Sequence, residues 1–442
     1  MVRRFLNEYG IVLVLAVLCI VFSVATWAEQ RPRGAAAGRQ VAQRVLSAVG
    51  AHEPVVVVAG VGEEERQFAE TVAEALRRGG RQPLGVLSGG PPEVRQGLIE
   101  LLAAGRPPQV VACSSSAAQW TLWDNLASSD APLAALRIVA PQSYWWPNFL
   151  KTENLLNIAN QIAVIAIIAA GMTLVIITGG IDLSVGSLVA LSAVLAALWI
   201  RDWAGAETAS ASGMVVCCLA AMLTCGAVGM GTGFLVTMFR RPPQIPPFIV
   251  TLAVMLAASG AAYLVSNGQS INQVPASFIW LGRGADLFGV PNAVVLTGLI
   301  YAGTHLLMTR TTLGRYIYAV GGNPEAARLS GVPVRRVLIF VYAWCGFLAG
   351  LGGIVLASQL KSGAPTYGQM YELYVIAAVV VGGTSLSGGQ GHVLGTLAGA
   401  LVIAVIQNGM NLVGLESYTQ KIVLGTIILA AVVIDRLRRL PG

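Results

Sequence analysis

The chain has 442 residues, of which 55% are hydrophobic and 11% charged, with a net charge of +7 and a mean hydropathy of +0.70. Soluble domains carry about 25% charged residues, so this composition excludes a soluble globular protein and indicates an all-α polytopic membrane protein. The charge does not point to nucleic acid: between Glu29 and Leu150 eleven arginines balance eleven carboxylates, which leaves the surplus in the apolar remainder, where basic residues report topology.

The six cysteines and three histidines (His52, His305 and His392) show neither a disulfide framework nor zinc-ligand spacing. No metal site and no catalytic residue is expected. The 51 glycines suit membrane helices packed backbone to backbone.

The first predicted element is an apolar run from Gly10 to Ala28, preceded by Arg3 and Arg4. It is long enough for one bilayer crossing, which takes about 20 residues, and residues 1–30 are assigned to that span. A cleaved signal peptide is the alternative, with Thr26 and Ala28 at a poor cleavage site; Trp27 favours a membrane interface. Residues 39–142 read differently. Val55–Ala59 is a strand pattern, Glu63–Arg78 a helix with Phe68, Val72, Ala75 and Leu76 on one face, and Pro83–Leu87 a strand. Glu93–Ala104 (helix), Gln109–Cys113 (strand), Ala117–Leu126 (helix) and Arg137–Ala140 (strand) follow. Alternation of this kind predicts an inserted α/β domain with a parallel sheet. Gly60-Val61-Gly62 hints only weakly at a phosphate loop, because Glu63, Glu64 and Glu65 would repel an anion there.

Residues 148–440 carry the remaining predicted spans: Ile158–Thr178, Ser184–Ile200, Gly213–Phe239, Phe248–Ser266, Pro291–Met308, Val337–Ser358, Leu373–Gly383, Val393–Met410 and Ile422–Ile434. With the first, that makes about ten, all helical because the bilayer core cannot solvate open backbone groups. Alternating them from an inner N-terminus places Arg3, Arg4, Arg240, Arg241, Arg310, Arg315, Arg328, Arg335, Arg336, Arg436, Arg438 and Arg439 inside. The short outer loops receive Lys151, Arg201, Arg283, Lys361 and Lys421. This asymmetry predicts both termini inside and the α/β domain outside the cytoplasm. The polar residues Asn160, Gln161, Thr173, Gln407, Asn408 and Asn411 lie within spans, where they either line a solute path or tie helices together.

Two segments stand out for chemistry. In Gly321-Gly322-Asn323-Pro324-Glu325-Ala326-Ala327-Arg328-Leu329-Ser330-Gly331, Asn323 is a good N-cap and Pro324 fits the first helical position. Glu325 suits the positive end of the dipole and Gly331 the C-terminal stop. The prediction is a two-turn helix, Pro324 to Ser330, in a loop that Arg328 places inside. Ala326 and Ala327 leave room for a partner surface; an ordinary capped interfacial helix is the plain alternative. In Gly179-Gly180-Ile181-Asp182-Leu183-Ser184-Val185-Gly186 the glycines end one span, Asp182 and Ser184 can cap the next, and Gly186 permits close packing. Asp182 is either a cap or part of an inner gate or partner contact.

These segments carry a resemblance. The Gly321–Gly331 loop resembles the coupling loop of ribose-type sugar permeases of ATP-binding-cassette importers, within the branched-chain amino acid/sugar permease superfamily. Gly171–Ser187, Ala378–Gly389 (with Gly382 and Gly383) and the ending Ile422–Arg439 resemble further parts of the same family; the insert has no counterpart in it. The resemblance implies a permease subunit in a bacterial inner membrane. Its partners would be an ATP-binding subunit, an extracytoplasmic sugar-binding protein and a second permease subunit. The chain itself would hold no cofactor, ATP being bound by the partner. Changes at Glu325 or Gly331 are then expected to uncouple ATP hydrolysis from uptake. A branched-chain amino acid permease, or a membrane-anchored sensor using the α/β domain, are the rival readings. Leu386-Ser387-Gly388-Gly389-Gln390 spells the signature of the ATPase subunits, but a phosphate loop needs Gly before its Lys, and Leu150, Leu360 and Gln420 precede the three lysines. An ATPase is excluded.

Overall fold

A computed structural model of the chain describes residues 2–50, 53–129, 136–238 and 246–438. Arg240, Arg241 and Arg439, used above for topology, lie outside them. The chain divides into two units, one of residues 1–26 with 148–442, the other Trp27–Pro147.

The first unit opens with α1 (Val2–Ala25). The second unit follows in the order β1 (Trp27–Gln30), α2 (Gly34–Ala48), β2 (Val55–Ala59), α3 (Glu63–Arg78), β3 (Val86–Ser88), α4 (Pro91–Ala103), β4 (Val110–Cys113), α5 (Leu122–Ser129), β5 (Arg137–Val139) and β6 (Tyr144–Pro147). Four strands form a parallel sheet in the order β3-β2-β4-β5. The valines of β2 alternate between its faces. Val55 and Val57 pack with Val41, Val45, Phe68, Val72 and Leu76 from α2 and α3. Val56 and Val58 pack with Val94, Leu98 and Leu126 from α4 and α5. Both faces of the sheet are thus covered, as a parallel sheet requires.

The unit extends beyond the expected 39–142 at both ends. Helix α2 starts at Gly34, and β1 pairs antiparallel with β6, Trp27 opposite Pro147 and Gln30 opposite Tyr144. The expected helix at Ala117–Leu126 is divided into a 3-10 turn at Ala117–Gln119 and α5. The expected strand at Pro83–Leu87 forms later, as β3.

The first unit continues with α6 (Thr152–Ile177), α7 (Val185–Asp202), α8 (Ala211–Val236), α9 (Pro247–Val265), α10 (Trp280–Arg283), α11 (Asn292–Arg310), α12 (Thr312–Gly322), α13 (Pro324–Leu329), α14 (Val334–Leu360), α15 (Tyr371–Val381), α16 (Val393–Leu412) and α17 (Ser417–Arg438). Among the described residues seven helices are long and apolar enough to cross a membrane: α6, α7, α8, α9, α11, α14 and α16. The apolar stretches Gly10–Ala25 and Tyr371–Val381 are helical but shorter. The protein is a mostly helical, multi-pass membrane protein.

Helix α6 is buried at every position from Ile162 to Ile177, as a sequence apolar all round but for Thr173 dictates. Helix α14 lies against α6, α7 and α8. Small residues set its approach to α8: a Cβ on Gly346 would stand 3.1 Å from the Gly229 Cα, and one on Gly350 would stand 3.0 Å from the Met222 Cα. In a membrane such backbone proximity replaces the hydrophobic effect as the source of helix association. Gly346→Leu is therefore expected to abolish a monodisperse, detergent-stable protein, whereas Gly260→Leu, on α9 with open space around it, is expected to leave it intact; size-exclusion profiles after heating would read both.

Polar residues within spans tie these helices together. Asn154 and Asn408 donate to each other's carbonyl oxygens at 3.0 and 2.9 Å, joining α6 to α16. The Thr173 and Thr396 hydroxyls meet at 2.8 Å, and Asn160 donates to the Gly282 carbonyl at 3.1 Å.

Candidate coupling site

Helix α12 begins under a Thr311 cap whose hydroxyl oxygen accepts from the Gly314 N–H at 3.1 Å. It buries Gly314, Ile317 and Val320. At its end Asn323 turns extended, and its side-chain oxygen accepts from the Glu325 and Ala326 N–H groups at 3.0 and 2.9 Å. With Pro324 at the first position, this fixes the start of α13. The stop is equally specified: Gly331 adopts φ +84, while Gly331 donates to the Arg328 carbonyl and Val332 to the Ala327 carbonyl, at 3.1 and 3.0 Å. Helix α13 ends at Leu329 with Ser330 as its cap.

The exposed face of α13 carries an ion pair between Arg328 and Glu325, whose second oxygen accepts from Arg328 Nε at 3.1 Å. The guanidinium holds the Glu325 carboxyl below its usual pKa. Ala326 is exposed. Ala327, expected to face a partner, is instead buried among the chain's own residues at 5% exposure; it is the hydrophobic contact that seats this short helix. The residue the sequence reading passed over is Leu329, a large apolar side chain left 76% exposed at the end of a charged helix. Its spacing of two from Ala327 was the available signal, since neighbours two apart on a helix face different ways.

The glycine segment after α6 forms a second buried centre. Thr178 caps the helix, and Gly179, at φ +79, and Gly180 donate to the carbonyls of Ile176 and Val175 at 2.9 and 3.0 Å. Asp182 is fully buried. Its Oδ1 accepts from both the Ser184 N–H at 2.9 Å and the Ser184 hydroxyl at 2.6 Å, while Oδ2 has no protein partner among the described residues. Burial pushes its pKa up against those two bonds. Asp182 thus closes the turn before α7 onto Ser184, which stands at the N-cap position without a side-chain cap bond of its own, so the expected side-chain cap of α7 does not form. Gly186 lies so close to Glu372 and the Gly368 carbonyl that any side chain there would overlap them. Gly382 and Gly383 close α15 and bring it against Gly395 of α16.

Three separate motifs meet at one point. The Gly389 N–H donates to the Ile177 carbonyl at 2.8 Å. Gly321 sits against both, with no room for a side chain, and a Cβ on Gly388 would lie 2.8 Å from the Gly321 oxygen and 3.1 Å from the Gly179 nitrogen. The end of α6, the approach to α13 and the turn between α15 and α16 are in backbone contact.

Residues 154–432 match the model of the family described as branched-chain amino acid transport system / permease component. The ribose import permease protein RbsC of Escherichia coli K12 is 44% identical over 307 residues, which span 69% of this chain and 92% of that protein. The corresponding protein of Bacillus subtilis is 42% identical over 292 residues, 66% of this chain and 87% of its own. The L-arabinose transport system permease protein AraH of E. coli is 37% identical over 301 residues, covering 66% and 85%. The chain belongs to this permease family. No solved structure matches it.

The family match begins at residue 154, so the permease carries β1 to β6 and the helices between them outside it. Within the match, the Gly321–Gly331 loop and the Gly179–Gly186 segment are both included. Asp182 offers no surface to a partner of the permease, because its side chain is enclosed. Its two bonds to Ser184 can be weighed directly: Asp182→Ala removes both and is expected to cost about 1–3 kcal/mol, lowering the melting temperature in detergent. Asp182→Asn keeps the accepting oxygen and is expected to retain most of that stability.

Proposed function

We propose that this permease is the membrane-path subunit of a bacterial ATP-binding-cassette importer for a monosaccharide. Two permease subunits enclose the path, an extracytoplasmic binding protein delivers the sugar, and separate ATP-binding subunits drive the cycle from the cytoplasm. The observation that carries this reading is similarity to ribose and arabinose permeases over about two thirds of the chain, with the exposed, doubly capped α13 inside the family match. Asn323, Pro324, Glu325, Ala326, Arg328 and Gly331 present or shape that helix toward the ATP-binding subunit, and Ala327 anchors it.

The charge pattern supports cytoplasmic termini, ten crossings and an α/β unit outside the cytoplasm. In that placement the unit docks the binding protein. Exposed Trp27, Tyr144, Trp145 and Trp146 on both faces of the β1–β6 ribbon, next in sequence to α1 and α6, suit a membrane interface. The sugar branch is favoured over the amino acid branch by the Ile181–Gly186 string as well as by those two relatives. ATP-dependent uptake into proteoliposomes holding the permease with its ATP-binding and binding-protein partners tests the reading. Labelled pentoses and hexoses should accumulate and leucine should not; accumulation of leucine alone would overturn it.

A further inference from the structure

The meeting point of α6, α12 and the α15–α16 turn suggests where motion of α13 goes. We infer that the Gly321–Gly389–Ile177 junction is a rigid transmission joint, which hands displacement of α13 to α6 and the Gly179–Asp182 loop. This rests on the proposed importer function and goes beyond it by assigning the route.

Helix α13 is short, exposed and seated by Ala327. A push on it can pass forward to α14 through Ser330–Pro333, or back to α12 through Asn323. The forward link is a turn around Gly331, tied by the Gly331 and Val332 N–H groups to the Arg328 and Ala327 carbonyls. The backward link is tied as well, because the Asn323 N–H donates to the Ala319 carbonyl at 3.1 Å and the Asn323 side chain caps α13, so α12 and α13 share one residue held from both sides, and this link leads on to the backbone contacts at Ile177 and Gly389.

Helix α12 in turn meets its neighbours without intervening side chains. The last carbonyl of α6, that of Ile177, would be an orphan acceptor of a buried helix end; Gly389 satisfies it at 2.8 Å. Gly388 and Gly389 take φ +83 and +74, conformations that glycine reaches without a steric penalty. A Cβ on Gly389 would stand 3.0 Å from the Gly322 Cα. A second tie is the Tyr318 hydroxyl, which donates to the Gly391 carbonyl at 2.7 Å. The turn itself is closed by Ser385 donating to the Gln390 carbonyl at 3.0 Å. Side-chain contacts can absorb a displacement by changing rotamer; backbone against backbone cannot, so movement of α12 is passed to α6. Because α6 is enclosed along its inner length, a shift at Ile177 is felt by every helix packed on it.

The test uses the reconstituted importer complex. In Gly389→Ala the added methyl pushes Gly322 away and strains the turn, weakening the bond to Ile177. Uptake is expected to fall at least tenfold while ATP hydrolysis by the complex stays within twofold. Equal loss of both, or loss of neither, would overturn the joint as a transmission element. A second measurement does not depend on that variant folding: Gly322→Cys with Gln390→Cys, joined by a short thiol cross-linker and verified by mass spectrometry, fixes the approach of α12 to the turn. A joint that moves as one piece keeps uptake within twofold of the uncross-linked protein; a block on cross-linking would show that the contact must open, and would overturn it. Failure of the importer reading itself would look different, as absence of ATP-dependent uptake in the unmodified complex.

Discussion

Leu329→Asp is expected to weaken binding of the ATP-binding subunit at least tenfold and to abolish uptake, with the membrane unit still folded. Leu329 stands 76% exposed at the tip of α13, beyond the reach of the packing that seats Ala327. Burying such a side chain against a partner contributes about 1.5–3 kcal/mol, and a tenfold change in affinity is about 1.4 kcal/mol. The substitution removes that contribution and places an unpaired carboxylate where the partner must desolvate it. Leu329→Met keeps volume and apolarity and is expected to bind nearly as well. Affinity of the purified ATP-binding subunit for the permease in nanodiscs reads both; unchanged affinity for Leu329→Asp would exclude α13 as the grip. Glu325→Gln is the informative companion. The Glu325–Arg328 pair is exposed on both sides, and such pairs add little to stability, so a loss of coupled uptake in that variant would report a contact with the partner rather than a damaged helix.

The position of α13 was legible because its ends are written in local chemistry. Asn323 before Pro324, and a glycine where the backbone must turn left-handed, specify a helix from a few neighbouring residues. Its orientation was not legible: in a helix this short, Ala326 and Ala327 are equally small, and only the tertiary surroundings decide that Ala327 is the buried one. The turn into α7 was half legible. Asp182 and Ser184 were both in view, but which side chain accepts and which donates depends on the path of the chain between them.

The transmission joint left no local trace. Ile177, Gly321 and Gly389 are far apart in sequence, and their contacts run through backbone atoms, which every residue possesses. The glycines were visible as helix stops and turns; their mutual contact was not. The same limitation hid the β1–β6 ribbon, whose strands are separated by the whole α/β unit. Helix α2 escaped for another reason. Its alanine- and glycine-rich first turns carry little amphipathic contrast, and burial of Ala37, Val41, Ala42 and Val45 becomes evident only beside α3. The alternation of valine strands with helices from Val55 onward, by contrast, is strong enough to give the parallel sheet from pattern alone.

Excision of Trp27–Pro147 is expected to leave a folded permease whose maximal uptake rate is preserved but whose half-saturating concentration of binding protein rises at least fivefold. The chain leaves and re-enters the membrane unit at one place: the Asn148 N–H donates to the Thr26 carbonyl at 2.9 Å, and the Phe149 N–H to the Thr26 hydroxyl at 3.1 Å. A short glycine–serine linker can therefore join residues 26 and 148 without moving α1 or α6, and closing so short a loop costs little in chain entropy. Phe22 stays beside Phe149, ring centroids 6.1 Å apart, so this anchoring contact of α1 lies within the residues that remain. The family match starts after them, at residue 154, so transport itself is assigned to what remains. If the unit docks the binding protein, its loss weakens encounter and leaves the turnover of bound complexes unchanged, which separates the two kinetic constants. Titrating binding protein against uptake in proteoliposomes measures both. Two unchanged constants would make the unit a passive insert, and a collapsed maximal rate in a folded protein would make it part of the transport cycle instead.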